Sequence, residues 1–327
     1  MPEEIAMPLH RRALIAAAAL PLAGIARAQS WPTRPVRVIV PFAAGGAADS
    51  AARTILPRMA ERLPATFVVE NRTGAGGSIG GGEVARSAAD GYTLLWDASS
   101  HIVNHALLRG LTFDYTTAFL PISQVCTFPQ VVAVKQDFPA RDIAAFIARA
   151  KAQPNTINMG TQGNATAGHL GLARFAREAG IEVQHVPYRG GADAARDLAA
   201  GSLDGVFITA LSARPVVESG RARFLAVATA QRQANLPDVP TLAESGLPGF
   251  DVSEWVGLFA PAGMPAEIAA RLHEALAATL VEADVRARLD RLGAVPVGSM
   301  PADFSRFVTE GRAAMATLVR DANIRIE

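Results

Sequence analysis

Short apolar, β-branched segments alternate with longer helix-forming segments after Trp31, and this pattern predicts an α/β protein with parallel strands covered by helices. The predicted strands are 36–40, 66–70, 93–96, 130–134, 156–159, 182–186, 203–209 and 224–228. The predicted helices are 49–62, 78–87, 140–152, 167–179 and 192–200, and two amphipathic helices follow over 265–283 and along the stripe that begins at Phe304. The C-terminal helices are expected to lie against a core.

The segment from Val36 to Arg53 combines a predicted strand, a loop of small residues and the start of a helix. Pro41 ends the strand, the loop from Ala43 to Ala48 contains glycines, and Asp49 can cap the following helix. A bare loop at a helix N terminus exposes backbone N–H groups at the positive end of the helix dipole, which favours a small anion. We therefore predict that this loop holds an acidic ligand.

The same arrangement occurs a second time, in the other half of the chain. The segment Gly160 to Gly168 follows a predicted strand and opens a predicted helix at Ala167. Two such loops that face each other across a cleft would bind one ligand from both sides.

The N terminus has the layout of a cleavable export signal over residues 1–28. Arg11 and Arg12 precede an apolar stretch, and Ala26-Arg27-Ala28 forms a cleavage site between small residues. The apolar stretch of residues 13–26 is shorter than the roughly 20 residues that a membrane-spanning helix needs. The sequence predicts export to the periplasm by the Sec or the twin-Arg route; the start codon at Met1 or Met7 stays open.

Composition excludes several classes of function. The chain has 327 residues, enough for two domains, and its 31 basic and 30 acidic residues give no basic surplus for nucleic acid. Cys126 is the single cysteine, which permits no internal disulfide and is expected to be an inert core residue. The phosphate-binding and dinucleotide-binding glycine motifs are missing, so we expect no cofactor.

Two motifs offer enzymatic alternatives. Gly76-Gly77-Ser78-Ile79-Gly80 matches the G-x-S-x-G motif of hydrolases, but residues 71–77 separate Ser78 from the preceding strand, so we expect Ser78 to be a helix cap. His101 and His105 have the spacing of two zinc ligands on a helix, but no third ligand is evident and packing at a helix start is favoured. No metal is predicted.

Five separated motifs resemble one known family. They are Val40-Pro-Phe-Ala-Ala-Gly-Gly46, Val69-Glu-Asn-Arg-Thr-Gly-Ala-Gly-Gly77, Asp90-Gly-Tyr-Thr-Leu-Leu95, His185-Val-Pro-Tyr-Arg-Gly190 and Leu236-Pro-Asp-Val-Pro-Thr241. In this order they resemble the Bug-type solute-binding receptors of tripartite tricarboxylate transporters. The resemblance implies a type II periplasmic binding protein fold, in which two α/β domains form a clamshell that closes on a small carboxylate.

The resemblance also implies which residues bind the ligand. Their positions on the first loop are Phe42, Ala43, Gly45, Gly46, Ala48 and Asp49. Those on the second loop are Thr161, Gly163, Asn164 and Thr166, with Gln162 replacing lost polar contacts, and the first domain's wall would contain Thr73, Ser99, Ser100 and His101.

This chain departs from the family at two places. The first loop has Ala43, Ala44, Ala47 and Ala48 where family members usually have prolines, a third glycine and a threonine, so one hydroxyl donor is lost. Phe207-Ile208-Thr209 stands where members often read Phe-Asp-Asn, so a carboxylate that could meet an amino group is absent there. We predict that Phe207 and Ile208 contact the ligand and that the ligand has no cationic amine.

The expected domains are residues 30–128 with 229–327, and residues 129–228. The predicted function is capture of a small carboxylate by a monomer and its delivery to the integral membrane subunits of a transporter. Presentation of the bound solute to a sensor protein is an alternative that the sequence leaves open. A serine hydrolase that uses Ser78 is a second alternative.

Overall fold

The computed structural model describes residues 31–321, so the predicted signal peptide lies outside the described residues. The strands are β1 (Val36–Val40), β2 (Phe67–Asn71), β3 (Thr93–Ala98), β4 (Phe119–Lys135), β5 (Asn158–Thr161), β6 (Gln184–Pro187), β7 (Gly205–Thr209), β8 (Ala222–Val227), β9 (Ser253–Pro261) and β10 (Val295–Pro296). The helices are α1 (Ala47–Arg62), α2 (Ser78–Ala85), α3 (Ser100–Leu107), α4 (Ile143–Ala152), α5 (Ala167–Ala179), α6 (Gly191–Ala199), α7 (Ala210–Glu218), α8 (Ala266–Leu280), α9 (Ala283–Arg291) and α10 (Pro301–Asp321).

The strands form a continuous mixed sheet in the order β2-β1-β3-β9-β4-β7-β5-β6, with β8 and β10 also paired to β4. β1 is parallel to β2 and β3, and β5 is parallel to β6 and β7, so each half has a central strand between two parallel neighbours. The 17-residue β4 connects the halves. It pairs with β9 over Phe119–Pro129 and with β7 over Gln130–Val134.

Helices cover both faces of each half of the sheet. Successive residues of β1 point to opposite faces, so Val38 packs with Leu94 in one apolar cluster while Ile39 packs with Leu95 in another. The first cluster includes residues of α1 and α8, and the second includes residues of α3 and α10. The other half has two clusters of its own, built around β4, β5 and β7. The loops that follow β1 and β5 line the same cavities, so the carboxyl ends of these parallel strands meet at one cleft.

The segment between β8 and β9 packs on the second half of the molecule. Leu242, Leu247 and Phe250 are buried in the same cluster as Phe175 and Phe207. The sequence-based boundary at residue 229, which groups this segment with the first domain, stays a prediction; the observed contacts are with the core of the second half. The pattern of small loops and prolines over 229–252 gave no sign of which core its few apolar residues join.

Candidate ligand-binding cleft

The first loop connects β1 to α1 and is shaped by Asp49. The Asp49 carboxylate accepts hydrogen bonds from the Gly45 N–H at 2.9 Å, from Arg53 Nε at 2.9 Å and from Asn71 Nδ2 at 2.9 Å. Asn71 Nδ2 also donates to the Phe42 carbonyl at 3.0 Å. Gly46 is the N-cap of α1 and provides no side-chain cap. Asp49 and Asn71 therefore fix the loop on one side, and the N terminus of α1 faces the cleft on the other.

Asp49 is a buried anion whose charge is stabilised by these donors. Burial raises the pKa of its carboxyl, but the hydrogen bonds from Arg53, Gly45 and Asn71 outweigh burial and leave the pKa below its ordinary value. Only 2% of the residue is exposed. Its role in the structure is to fix the conformation of the loop.

The second loop connects β5 to α5 and is closed by Thr166. The Thr166 hydroxyl donates to the Gly163 carbonyl at 2.7 Å and accepts from the His169 N–H as the helix cap. The first N–H of the helix, at Ala167, donates to Ser99 Oγ at 2.8 Å. Two of the first donors of α5 thus already have partners within the protein.

A stacked histidine pair supports the second loop. The rings of His169 and His185 lie 4.2 Å apart at an interplanar angle of 7°, and His185 Nε2 lies 2.7 Å from Thr161 Oγ1. Burial lowers the pKa of His169 to about 4, and burial together with the neighbouring His169 lowers the pKa of His185 to about 3. Both rings are neutral at pH 7, which allows them to stack without repulsion.

A third loop reaches the cleft, at the start of α6. Gly190 is the N-cap of α6 and gives no side-chain cap, as at α1. Its Cα lies so close to the first loop that a Cβ built on Gly190 would be 3.2 Å from the Cβ of Ala43. The N termini of α1 and α6, neither of which has a side-chain cap, therefore approach each other across the cleft. The same succession of strand, glycines and helix occurs at Arg189-Gly190-Gly191, so the sequence carries a signal for this loop as well.

The three loops enclose two neighbouring cavities. The inner cavity has about 410 Å³ of empty space, solvent at its mouth included, and is lined by Phe42, Ala43, Gly46, Ala47, Ala48, Ala98, Gln162, Thr166, Gly190, Gly191, Thr209, Ser212 and Glu254. The outer cavity has about 650 Å³ of empty space, counted in the same way, and is lined by Pro41, Phe42, Gly74, Ala75, Gly76, Gly77, Gln162, Gly163, Asn164, Thr166, Pro187, Tyr188 and Arg189. Of the sequence-predicted residues, Phe42, Ala43, Gly46, Ala48, Gln162, Gly163, Asn164 and Thr166 line one or both cavities.

Other predicted residues lie behind the cavity walls or outside them. Gly45 and Asp49 hold the first loop, Thr161 is fully buried against His185, and Thr73 is exposed. Ser99 joins the two halves through Ala167. Ser100 and His101 are fully buried, and the His101 ring stacks on Phe259 at 4.0 Å between centroids.

Phe207 and Ile208, which were predicted to contact the ligand, lie in the core. Both side chains are fully buried, and because neighbouring residues of a strand point to opposite faces, Phe207 packs in one core cluster and Ile208 in the other. The end of β7 still reaches the cleft through Thr209 and Ser212, whose hydroxyls lie 3.0 Å apart.

Glu254 lines the inner cavity and was not predicted. It lies on β9, is 5% exposed, and its Oε1 accepts from the N–H groups of Ser99 at 2.9 Å and Trp255 at 3.2 Å. Its Oε2 accepts from Gln162 Nε2 at 3.1 Å. Burial raises the pKa of Glu254, and the hydrogen bonds from Ser99 and Gln162 offset only part of that effect. A carboxylate is therefore present in the cleft, but it comes from β9 rather than from β7.

The family model of the tripartite tricarboxylate transporter family receptor, TctC, matches residues 51–324. The chain belongs to this family. Its structure has the type II periplasmic binding protein fold, a clamshell of two α/β domains, as the sequence predicted.

Three solved structures resemble this TctC-family chain over nearly their whole length. That of the periplasmic binding protein BugD is 32% identical and has a TM-score of 0.85, with 91% of this chain and 100% of that chain covered. Rpa4515 of R. palustris with adipate is 34% identical, with a TM-score of 0.86 and 90% and 99% covered. MatC of Rhodopseudomonas palustris with bound malate is 32% identical, with a TM-score of 0.82 and 88% and 100% covered.

The two enzymatic alternatives gain no support from the geometry of this family member. Ser78 is the first residue of α2 rather than its cap, which is Gly77, and no hydrogen bond joins it to a histidine within residues 31–321. His101 Nδ1 lies 2.9 Å from Asp97 Oδ2, and burial lowers the pKa of His101. Among the described residues, no group of three or more histidine, cysteine or acidic side chains could hold a metal ion.

Over the described part of the chain, none of the helices is both long and apolar enough to span a bilayer.

Proposed function

We propose that the protein is an exported receptor that captures a small carboxylate in its cleft and delivers it to a tripartite tricarboxylate-type membrane transporter. The observation that carries this proposal is the convergence of two helix N termini without side-chain caps, those of α1 and α6, on one cavity. The first N–H groups of a helix have no partner within the helix and lie at the positive end of its dipole. Two such ends opposite each other suit one carboxylate.

The ligand's carboxylate would lie between the first loop and Gly190-Gly191. The backbone N–H groups of Ala47 and Gly191 would donate to it. The hydroxyls of Thr209 and Ser212 bond each other on the cavity wall, which leaves one of their two protons for the ligand. Ala43, Ala48 and Ala98 give the same cavity an apolar side that would pack against carbon. The exposed Arg189 at the outer cavity would attract an anion towards the entrance.

The two relatives solved with small carboxylates support this choice of ligand class. One contains adipate and the other malate, at 34% and 32% identity to this chain. The remaining predicted residues, Gly45, Asp49, Thr73, Ser99, Ser100, His101 and Thr161, would act by holding the loops in place rather than by touching the ligand.

A thermal-shift screen tests the proposal directly. Ligands that bind only the folded state raise its Tm, so at least one acid in a panel of mono-, di- and tricarboxylates should raise Tm, while neutral sugars of similar size should not. Failure of every carboxylate to shift Tm, with binding of a neutral solute instead, would show that the cleft serves another ligand class.

A further inference from the structure

Glu254 lies where the two halves of the clamshell meet. It belongs to β9, which pairs with β3 in the first half, whereas Gln162 and Ala167 belong to the second loop and to α5 in the other half. Glu254 Oε2 accepts from Gln162 Nε2 at 3.1 Å, and the Ala167 N–H lowers the pKa of the same carboxyl by donating to it. The carboxylate is thus attached to one half and binds donors of the other.

Ser99 adds a second connection between the halves at the same point. Its hydroxyl accepts from the Ala167 N–H at 2.8 Å and donates to the Glu254 carboxylate, and its own N–H donates to Glu254 Oε1 at 2.9 Å. The Trp255 N–H is a further donor to that oxygen, at 3.2 Å. These donors favour the ionised carboxylate, against the burial that raises its pKa.

The N terminus of α5 therefore already has an anion beside it. The first N–H groups of a helix lie at the positive end of its dipole, where a carboxylate is stabilised. In α5 the His169 N–H is capped by Thr166, and the Ala167 N–H faces Ser99 and Glu254. The N termini of α1 and α6 have no side-chain cap. The donors of α5 are used between the halves, and those of α1 and α6 remain for a ligand.

The packing of Gln162 fixes its side chain in the position that this contact requires. A Cβ built on Gly168 would overlap the Gln162 amide oxygen and the Phe207 carbonyl, so a glycine is needed there to leave room for the side chain. Gln162 is thus held by α5 and β7 of its own half, with Nε2 directed at Glu254. That hydrogen bond is made only while the two halves are together.

We propose that Glu254 is a positioning residue that holds the clamshell closed, acting as an internal anion at the N terminus of α5. This inference rests on the proposed function, because closure matters for a receptor that binds its ligand between the halves. The contacts of Glu254 with Gln162 and Ala167 belong to the closed form alone, so they shift the balance between the open and closed forms.

The variant Glu254→Gln tests the inference in the dialysed protein, with no acid added. Its amide keeps the shape of the side chain but presents a donor to a site surrounded by donors, so the ratio of closed to open forms should fall about tenfold or more. Hydrogen–deuterium exchange should be about tenfold faster at the amides of Ala165 and Ala167, and small-angle scattering should give a larger radius of gyration than for the wild type. Glu218→Gln, at the exposed end of α7, is the matched control and should change neither.

The variant Gln162→Leu approaches the same contact from the other half. It removes the amide donor while Glu254 keeps its bonds to Ser99 and Trp255, so the ratio of closed to open forms should fall about two- to tenfold, the value of one hydrogen bond. The same two measurements apply, and they decide the question even if Glu254→Gln does not fold.

Two outcomes would overturn the inference. One is an unchanged radius of gyration and unchanged exchange at Ala165 and Ala167 in both variants. The other is exchange that rises equally at Ala167 and throughout β9, which would make Glu254 a structural tie within the first half. None of these measurements uses a ligand, so the inference can fail while carboxylates still raise Tm. The proposed function can likewise fail while Glu254→Gln still opens the clamshell.

Discussion

At the scale of single residues, the hydroxyl of Thr166 has two structural bonds. It closes the second loop by donating to Gly163 and caps α5 by accepting from His169. The same side chain lines both cavities. Its contribution to binding is therefore coupled to its contribution to loop conformation.

Replacing Thr166 by valine separates shape from hydrogen bonding. Thr166→Val should lower the free energy of unfolding by about 1 kcal/mol, the usual contribution of an N-cap, and should weaken carboxylate binding. Thr166→Ser keeps the hydroxyl and should retain most of both. Urea unfolding and calorimetry measure the two effects, and wild-type affinity in Thr166→Val would show that the cap does not organise the site.

The neutral histidine pair makes stability depend on pH. In the unfolded chain His169 and His185 take up protons below their ordinary pKa of 6.5, whereas in the folded protein they do so only near pH 4 and pH 3. The unfolded state therefore binds more protons in this interval, and stability falls as pH decreases from about 6.5 towards 4.

The variant His185→Gln should show a shallower decline in Tm over that interval than the wild type, since one of the two shifted groups is gone. Carboxylates such as Asp49 have a pKa below the ordinary value, and the stability that they contribute is lost only at still lower pH. That loss is the same in both proteins. Parallel Tm curves for the two proteins between pH 6.5 and 4 would contradict this assignment.

At the scale of elements, the close approach of two helix N termini requires that residue 190 have no side chain. Gly190→Ala would place a methyl group 3.2 Å from the Cβ of Ala43 and should weaken ligand binding by pushing the first loop and α6 apart. The double variant Ala43→Gly/Gly190→Ala removes the facing methyl and should recover part of the affinity. Calorimetry of Gly190→Ala, Ala43→Gly and the double variant measures the coupling between the two positions. If the effect of the double variant equals the sum of the two single effects, the loops do not touch when ligand is bound.

Elements whose sequence carried a local signal were predicted well. The bounds of β1 and α5 agree with the prediction, because a β-branched run before Pro41 and a helix between Thr166 and Gly180 are both marked by their own residues. By contrast β4 was predicted only over 130–134, although it extends from Phe119 to Lys135. Pro121 interrupts the pattern, and the register shift beside it lets the strand continue.

Contacts between distant segments could not be predicted from local pattern. β9 is buried at nearly every position and lacks the alternation that marks a half-exposed strand; its place between β3 and β4 is decided by its partners. Glu254 could not be predicted as a site residue for the same reason, since it is 155 residues from Ser99 and 92 from Gln162 along the chain. The loops at helix starts were found because small residues and strand ends are visible in sequence.

At the scale of the whole molecule, the contacts between the halves describe a closed clamshell. Ala167 N–H donates to Ser99 Oγ, Gln162 donates to Glu254, and Gly190 lies against Ala43. We propose that the moving units are residues 31–129 with 253–321, and residues 130–252, with hinges where the chain crosses in β4 and before β9.

Ser99→Ala removes one bond that exists only between the halves. It should shift the protein towards an open form and weaken ligand binding about two- to tenfold, the value of one hydrogen bond, with little change in stability. Small-angle scattering should show a larger radius of gyration than in the wild type at equal ligand concentration. Ser100→Ala is the control, because the Ser100 hydroxyl is buried and has no partner among the described residues.

β4 has a consequence for how the molecule unfolds. One continuous strand supplies buried residues such as Val125 and Phe128 to the first core and Val132 and Val134 to the second. Melting either core removes the packing that holds half of this strand, so the free energies of the two halves are coupled. The clamshell can therefore open at its hinges without unfolding, yet it should denature in a single cooperative transition, with the amides of β4 among the last to exchange their hydrogens.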